Sequence, residues 1–281
     1  MLGVCREFCH NCAMHHFILY LVVTFIYLAV AIDFWRTNKA QNVLSVLKLH
    51  SAMIALGLLL HGWLLYHDIT AVGFNFGLVN AISAIFWLTV LIYWIADLKH
   101  GLHSLQAFVL PPAALFALLP AFASKTHLLP TGEGNLYVLH ICIALLAYSL
   151  FTFASLHALL MTIAERNLHN KPTPFKLPDF PPLMVMENLL FRVLAFGFAL
   201  LTVTLASGML FSEQIFGKPL QLNHKVVFSI ASWVIYGWLL FGRYRYGWRG
   251  RTAIRWTLWG FILLVLAYVG SRFVSQVILG R

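Results

Sequence analysis

The sequence is poor in charged side chains. They make up 10% of its 281 residues, against about 25% in an ordinary soluble domain. A soluble domain of this length needs a polar surface to cover its single core, and this chain does not have the side chains to build one. The shortage excludes a soluble enzyme, a disordered regulator and a fibrous protein.

Cysteine and acidic residues are also scarce. Four cysteines, three of them near the start of the chain, do not form a disulfide scaffold. Nine acidic residues against 19 Lys and Arg leave a net charge of +10. We interpret this excess as the Lys and Arg that inner-membrane proteins place in cytoplasmic loops, and we expect no nucleic-acid partner.

The patterns of several enzyme classes are missing as well. The sequence has no nucleophile–base pair, no paired carboxylates inside an apolar run, no phosphate-binding loop and no helical His-Glu zinc motif. These absences argue against a membrane hydrolase or protease. The lack of Asp and Glu in the middle of the apolar runs argues against a proton-coupled transporter.

Long apolar runs dominate the chain, which is 61% hydrophobic. A transmembrane helix needs about 20 mostly apolar residues. Because lipid cannot satisfy open backbone groups, the runs predict an all-α fold, a polytopic bundle of eight transmembrane helices in the lipid bilayer of a bacterial inner membrane. The predicted spans are 16–34, 47–67, 76–96, 104–123, 136–163, 189–211, 225–242 and 254–277.

The distribution of Lys and Arg predicts the orientation. Twelve of them lie in or beside the connections that follow helices 1, 3, 5 and 7, and five lie at the termini or in the other connections. The positive-inside rule therefore places the first set in the cytoplasm and both termini outside, in the periplasm. The segment Arg243–Arg251, which alternates arginines with aromatic residues, is the strongest single anchor.

The runs divide the chain into three parts: an N-terminal extension over 1–15, helices 1–4 over 16–123, and helices 5–8 over 124–281. The extension has three interpretations. Translation starts at Met14, or the segment binds a metal, or it is a c-type haem attachment sequence with one residue too many between its cysteines. The metal interpretation concerns Cys5, Cys9, His10 and Cys12, and the haem-attachment interpretation concerns the segment from Cys5 to His10.

Proline marks two further features. Pro111, Pro112 and Pro120 predict a kinked helix 4. Five prolines between residues 165 and 187 predict a semi-rigid cytoplasmic connector. At the end of this connector, we expect Glu187 to pair with Arg192 or with loop groups and to serve as an interfacial anchor.

Four of the thirteen histidines lie inside or near apolar runs: His50, His61, His140 and His157. An ionisable group at such a place indicates function. In the predicted topology, His61 lies about 9 Å and His140 about 6 Å from the outer surface, whereas the other two fall near the cytoplasmic face. Most of the remaining histidines, including His16 and His67, are interpreted as interfacial side chains.

The outer pair, His61 and His140, is the better candidate for a ligand set. Imidazole is the commonest axial ligand type for haem iron. A site near the outer surface suits a flat, largely apolar haem whose propionates need water or cations. We therefore predict a non-covalent, b-type haem with these two axial ligands. The alternative is that each histidine bonds a backbone or hydroxyl group of a neighbouring helix.

Several segments of the second half resemble a known family. They include Leu139-His140 at the start of a helix, and residues 181–192, 196–208, 225–236 and 247–251. Together they resemble the cytochrome c assembly family of haem-handling membrane proteins, in particular its HemX-like and YpjD-like inner-membrane branch. The resemblance covers residues 136–281, and the first four helices share with the family only hydropathy and His61.

The resemblance implies haem binding and a link to cytochrome c maturation proteins or haem supply. In the family's synthetase members, a tryptophan-rich outer loop presents haem between two flanking histidines. The corresponding loop, Phe216–Asn223, has no tryptophan and no acidic residue. His140 matches the first flanking histidine, and no histidine follows helix 8. His224 is then an alternate ligand, with Lys218 and Lys225 near the propionates.

The loss of that loop implies that the chain is not an enzyme and does not attach haem to apocytochrome. Haem binding in cytochrome assembly or haem homeostasis is the function that these features favour. The alternatives are a non-catalytic accessory subunit that uses the proline-rich connector and the basic segment 243–255, or a small-molecule permease lined by helix 4. A dihaem electron carrier would need the inner histidine pair as well.

Overall fold

The computed structural model describes residues 2–37, 44–70, 77–122, 135–169, 182–210, 212 and 224–270. All regular structure in these ranges is helical, as the apolar runs predicted. The α-helices are α1 (Leu2–Thr37), α2 (Leu44–Thr70), α3 (Leu78–His100), α4 (Gln106–Leu118), α5 (Asn135–His169), α6 (Leu183–Leu210), α7 (His224–Tyr246) and α8 (Gly250–Val265). Short 3-10 turns flank α4, over His103–Leu105 and Leu119–Phe122, and a π-helical turn, Leu266–Gly270, follows α8.

The chain divides into two compact units, Met1–Leu129 and Pro130–Arg281. In the first unit, α1 and α3 each pack against both α2 and α4, so that the four helices close into a ring. Tyrosine side chains fill much of the interior. Tyr27 and Tyr93 are completely buried, and Tyr20 is nearly so.

The second unit repeats this arrangement with α5–α8. Helices α5 and α7 each pack against both α6 and α8. Phe151 of α5 and Tyr236 of α7 stack in the centre with ring centroids 4.0 Å apart. A Cβ atom on Gly260 of α8 would lie 2.8 Å from Cζ of Tyr236, so this glycine is needed for the close approach of α7 and α8.

Many hydroxyl side chains inside the helices are satisfied locally, which suits a protein in lipid. Several Ser and Thr hydroxyls donate to the carbonyl oxygen four residues earlier on their own helix, at 2.7 to 3.1 Å. They are Thr89, Ser149, Thr152, Thr162, Thr202, Thr204 and Thr257.

Seven of the described helices are long and apolar enough to cross a membrane. The remaining predicted span, 104–123, contains the shorter apolar segment Gln106–Phe122. Pro111 and Pro112 lie inside α4, and the chain changes to the 3-10 turn around Pro120. The count of eight spans and the outward termini stay predictions.

Several helices begin earlier or end later than their hydropathy predicted. Helix α6 starts at Leu183 instead of 189, and α5 continues to His169, so the predicted connector over 165–187 is shorter. Helices α7 and α8 are separated by three residues only. In α1 the backbone is already helical at Leu2, while the side chains of Cys5, Cys9, His10 and Cys12 lie outside the described part of the chain.

Candidate functional site

The strongest candidate for a ligand is His140, near the start of α5. Its imidazole is partly buried, and its Nδ1 atom lies 2.8 Å from Oγ of Ser207 on α6. The two residues face each other because α5 and α6 pack along their length in opposite directions. The contact bonds a histidine to a hydroxyl group of a neighbouring helix, which is what the alternative interpretation of the buried histidines predicted.

The direction of this hydrogen bond follows from a second bond. The hydroxyl of Ser207 donates its single proton to the carbonyl oxygen of Thr204, at 3.1 Å. With that proton given to Thr204, Oγ of Ser207 accepts from His140 and Nδ1 carries the proton. In the neutral imidazole the lone pair is then on Nε2, which is the form that binds a metal with its other nitrogen held by a hydrogen bond.

The other helices of the second unit contribute neighbours at the same end. Lys225, near the start of α7, is close enough for its charge to act on the His140 imidazole. Its Nζ atom lies 5.8 Å from the ring centroid of Tyr268, which is in the π-helical turn. Such turns occur often at functional sites. Beside the imidazole, Gly208 carries no side chain, and a Cβ there would lie 3.4 Å from Cε1 of His140.

This donor set fits one axial position of haem iron. A neutral imidazole with its lone pair on Nε2 is the required ligand form, and the hydrogen bond from Nδ1 fixes the ring orientation. The ammonium group of Lys225 suits a propionate. The structure thus places two of the predicted site residues, His140 and Lys225, in one neighbourhood.

For His224 and the preceding loop, the structure gives less information about a role in the site. His224 is the first residue of α7, directly before Lys225, and its side chain is exposed. The predicted loop Phe216–Asn223, which includes Lys218, lies outside the described residues. The role of His224 as an alternate ligand stays a prediction.

His61 has a different environment in the first unit. It is completely buried, and its Nε2 atom lies 2.9 Å from Oγ of Ser83 on α3. Its ring packs edge-on against Tyr27 with centroids 6.1 Å apart. Nδ1 is enclosed and has no hydrogen-bond partner among the described residues. An iron atom would reach either nitrogen only if this packing opened, and the pairing of His61 with His140 stays a prediction.

The two inner histidines hold helices together. His157 of α5 donates from Nε2 to the carbonyl oxygen of Met186 on α6, at 2.8 Å. His50 of α2 lies between the amide of Gln106, which is 3.2 Å from Nδ1, and the carboxylate of Asp33, which is 2.8 Å from Nε2. Both histidines therefore have partners in their own unit, while Nδ1 of His157 is enclosed without a partner among the described residues.

Glu187 organises the opposite end of the second unit from His140. Its carboxylate accepts a hydrogen bond from Arg243 at 2.6 Å, lies 3.5 Å from Arg249 and accepts from the backbone N–H of Gly250 at 3.3 Å. Arg249, the N-cap of α8, makes no side-chain cap bond of its own, so Glu187 supplies the acceptor. We expected Glu187 to pair with Arg192 or with loop groups: its partners are Arg249, which lies in the loop before α8, and Arg243, which lies in the last turn of α7.

Three residues that no sequence pattern linked come together in the first unit. His16 of α1 and the neighbouring His67 and Asp68 of α2 each offer a ligand atom, and these atoms lie within 4.8 Å of one another. Hydropathy assigned both histidines to the interface, each on its own helix. The adjacent pair His67-Asp68 was the only signal available, and the antiparallel packing of α1 and α2 supplies the third residue.

Together, the apolar helices and the two four-helix units define a multi-pass helical membrane protein. The sequence pattern of the cytochrome C assembly protein family matches residues 46–279. The chain belongs to this family, which confirms the resemblance that the second half of the sequence indicated.

Individual relatives agree with the family. The inner membrane protein YpjD of Escherichia coli strain K12 is 37% identical over 172 residues, which are 61% of this chain and 63% of that protein. An uncharacterized 28.8 kDa protein of Azospirillum brasilense is 34% identical over 72% of this chain and 77% of its own length. The cytochrome c biogenesis protein CcsA of Guillardia theta is 24% identical over 64% of this chain and 67% of its own length.

The first of these relatives is itself named for the inner membrane. Together with the apolar helices, this name confirms the predicted localisation of the chain as a multi-pass inner-membrane protein. The match extends over slightly less than two thirds of that relative's length.

Proposed function

We propose that the protein binds a non-covalent, b-type haem in its second unit, with Nε2 of His140 as an axial ligand. One observation carries the proposal: the hydrogen bond from His140 to Ser207 leaves the lone pair of the neutral imidazole on Nε2. Bound haem would supply the iron and the redox chemistry of the porphyrin.

The surroundings of His140 support the same site. The imidazole is partly buried near the helix end, where haem propionates can reach the membrane surface, and Lys225 offers a positive charge there. In the topology that the Lys and Arg distribution predicts, this end faces the periplasm. The Glu187 network with Arg243 and Arg249 then lies on the cytoplasmic side.

We further propose a role in haem supply or cytochrome c assembly that does not include haem attachment. The match to the cytochrome C assembly family and to biogenesis proteins named CcsA supports a role in haem supply or cytochrome c assembly. The absence of haem attachment is proposed because residues 216–223 contain neither the tryptophans nor the acidic residue of a haem-presenting loop. Cytochrome c maturation proteins are the expected partners, and the protein is not expected to act as a haem lyase.

A haem titration of the detergent-purified protein tests the proposal. We expect one haem per chain, with a visible spectrum typical of histidine-ligated iron in both oxidation states. His140→Ala should weaken haem binding at least about tenfold or change the spectrum, because an axial ligand is lost. The measurement is the absorption spectrum during titration, with haem and protein quantified separately.

His157→Ala is the matched control, since His157 is on the same helix and bonds a backbone carbonyl. It should lower thermal stability and leave the haem spectrum unchanged. Parallel spectra of His61→Ala and His224→Ala identify the second ligand. A wild-type protein that takes up no haem, or a His140→Ala variant with the wild-type spectrum and affinity, would overturn the proposal and favour the accessory-subunit or permease alternative.

A further inference from the structure

The residues His16, His67 and Asp68 form a cluster at one end of the first unit. His16 begins the apolar part of α1, and the other two residues are in the last turn of α2. From this cluster we infer that the first unit holds a divalent transition-metal site, with Zn²⁺ as the ion that suits it best. The inference is independent of haem binding, which concerns the second unit.

The distances between the three side chains are close to those of a tetrahedral zinc site. Oδ1 of Asp68 lies 4.0 Å from Nδ1 of His16 and 3.7 Å from Nδ1 of His67. Neighbouring ligand atoms in a tetrahedral site with metal–ligand bonds of 2.0–2.1 Å are roughly 3.3 Å apart. All three ligand atoms lie within 4.8 Å of one another, so side-chain movements of roughly half to one and a half ångströms would bring them around one ion.

The two histidine rings pack against each other, and one of their nitrogens has no partner. Their centroids are 4.3 Å apart with the planes tilted by 40°, and Nδ1 of His67 is enclosed without a hydrogen-bond partner among the described residues. An enclosed imidazole nitrogen without a partner loses its hydration and gains nothing in return. A metal ion would satisfy this nitrogen and the Asp68 carboxylate at the same time.

Residues one helical turn away support the cluster. Tyr20, four residues after His16, donates a hydrogen bond to Oδ2 of Asp68 and leaves Oδ1 directed to the histidines. Trp63, four residues before His67, stacks on His16 with centroids 6.1 Å apart and an interplanar angle of 15°. Hydrogen-bonded carboxylates and packed rings of this kind orient metal ligands in established sites.

The chemistry of the donor set selects the class of metal. Two imidazoles and one carboxylate suit Zn²⁺ and its transition-metal neighbours, whereas Ca²⁺ and Mg²⁺ require more oxygen ligands. Three protein ligands leave one tetrahedral position for water or another small ligand. The side chains are 22% (His16), 44% (His67) and 24% (Asp68) exposed, so that an ion can enter from the membrane surface.

Zinc binding to the full-length protein tests the inference. The cysteines at positions 5, 9 and 12 are first replaced by serine, because thiolates in that segment could bind zinc independently. After chelator treatment and removal of the chelator, ZnCl₂ is titrated in competition with a chromophoric chelator. We expect one Zn²⁺ per chain, and Co²⁺ in its place should give the visible absorption of a tetrahedral site.

Asp68→Asn tests the carboxylate with little change in size and keeps an oxygen acceptor for Tyr20. This variant and His67→Ala should each weaken zinc binding more than about tenfold, and Tyr20→Phe should weaken it roughly 10- to 100-fold. His103→Ala, which removes a histidine from a two-residue pair with Asp97, should bind zinc like the parent.

Thermal unfolding provides a second readout. Zn²⁺ at a hundredfold excess over its Kd should raise the Tm of the parent by roughly 5 °C, and Asp68→Asn should show no such rise. Failure of the serine-substituted parent to bind zinc would overturn the inference. Undiminished zinc binding by both Asp68→Asn and His67→Ala would also overturn the inference, because the ion would then be bound elsewhere in the protein.

Discussion

The hydrogen bond between His140 and Ser207 is coupled to a second bond of the same serine hydroxyl. Nδ1 of His140 donates to Oγ of Ser207, because the serine hydroxyl gives its own proton to the carbonyl of Thr204. A contact between two helices thereby sets the tautomer of an imidazole near the end of the second unit. His157 also has its proton placed by a contact between helices, but its other nitrogen is enclosed, whereas the imidazole of His140 is only partly buried.

Ser207 is predicted to act as a positioning residue for the haem ligand. Ser207→Ala removes the acceptor, so that the ring loses its orientation and the proton is no longer held on Nδ1. We expect haem affinity to fall roughly 10- to 100-fold and the reduced spectrum to shift. Ser149→Ala, in which a hydroxyl bonded to its own helix is lost from α5, should bind haem like the wild type.

His61 is predicted to be a packing residue of the first unit. His61→Ala would leave a cavity beside Tyr27 and a serine without its partner, so that the free energy of unfolding should fall by about 2–4 kcal/mol. The haem spectrum should keep its shape and amplitude. Loss of the spectrum in a variant that is otherwise folded would instead support the two-histidine ligand set that the predicted depths of His61 and His140 suggested.

Glu187 and Glu165 provide a matched comparison of two ion pairs. Glu187 is 13% exposed and joins Arg243, Arg249 and the start of α8. Glu165 is 24% exposed, and its partner Arg251 is 69% exposed. Glu187→Gln should lower the free energy of unfolding by about 1–3 kcal/mol, because Arg243 keeps a partly buried charge without its carboxylate.

Glu165→Gln should lower it by less than about 1 kcal/mol, since solvent already screens the pair. Chemical unfolding in detergent, followed by circular dichroism, measures both values. Equal losses in the two variants would contradict the role of Glu187 in joining three helices.

The hydrogen bond with the Asp97 carboxylate raises the pKa of His103 above its usual value, although burial opposes the shift and the negative charge of Asp97 adds to it. A raised folded-state pKa means that protonated His103 stabilises the fold. This stabilisation is complete below about pH 6.5, the unfolded-state value, and is lost as the pH rises through the higher folded-state pKa.

The Tm of the wild type should therefore decrease relative to that of His103→Gln as the pH rises above about 6.5 and through the raised pKa of His103. Thermal unfolding at a series of pH values measures this difference. Parallel pH curves for the two proteins would show that the pair with Asp97 contributes nothing to stability.

The sequence predicted the helical class and most spans because lipid imposes a simple requirement of about 20 apolar residues per helix. It failed at helix ends that carry charge. Glu187 interrupts an apolar run, so hydropathy started the sixth helix at 189, whereas α6 begins at Leu183. The charge is tolerated there because Arg243 and Arg249 pair with it. These arginines follow Glu187 by 56 and 62 positions in the sequence, so no local pattern predicts the pairing.

The candidate sites show the same limit. His140 was predicted from its depth in an apolar run, but its partner Ser207 is 67 residues away and follows only from the packing of α5 on α6. His16 and His67 were each assigned to the interface of a single helix. Their meeting with Asp68 depends on the pairing of α1 and α2, which periodicity does not specify.

Chemical rescue of His140→Gly tests the haem proposal most directly, because it separates ligation from folding. The variant is titrated with haem in detergent, and its visible spectrum is recorded before and after addition of imidazole. We predict that the wild-type spectrum is lost in the variant and returns when imidazole occupies the position left by the side chain. A wild-type spectrum in His140→Gly without imidazole would contradict ligation by His140.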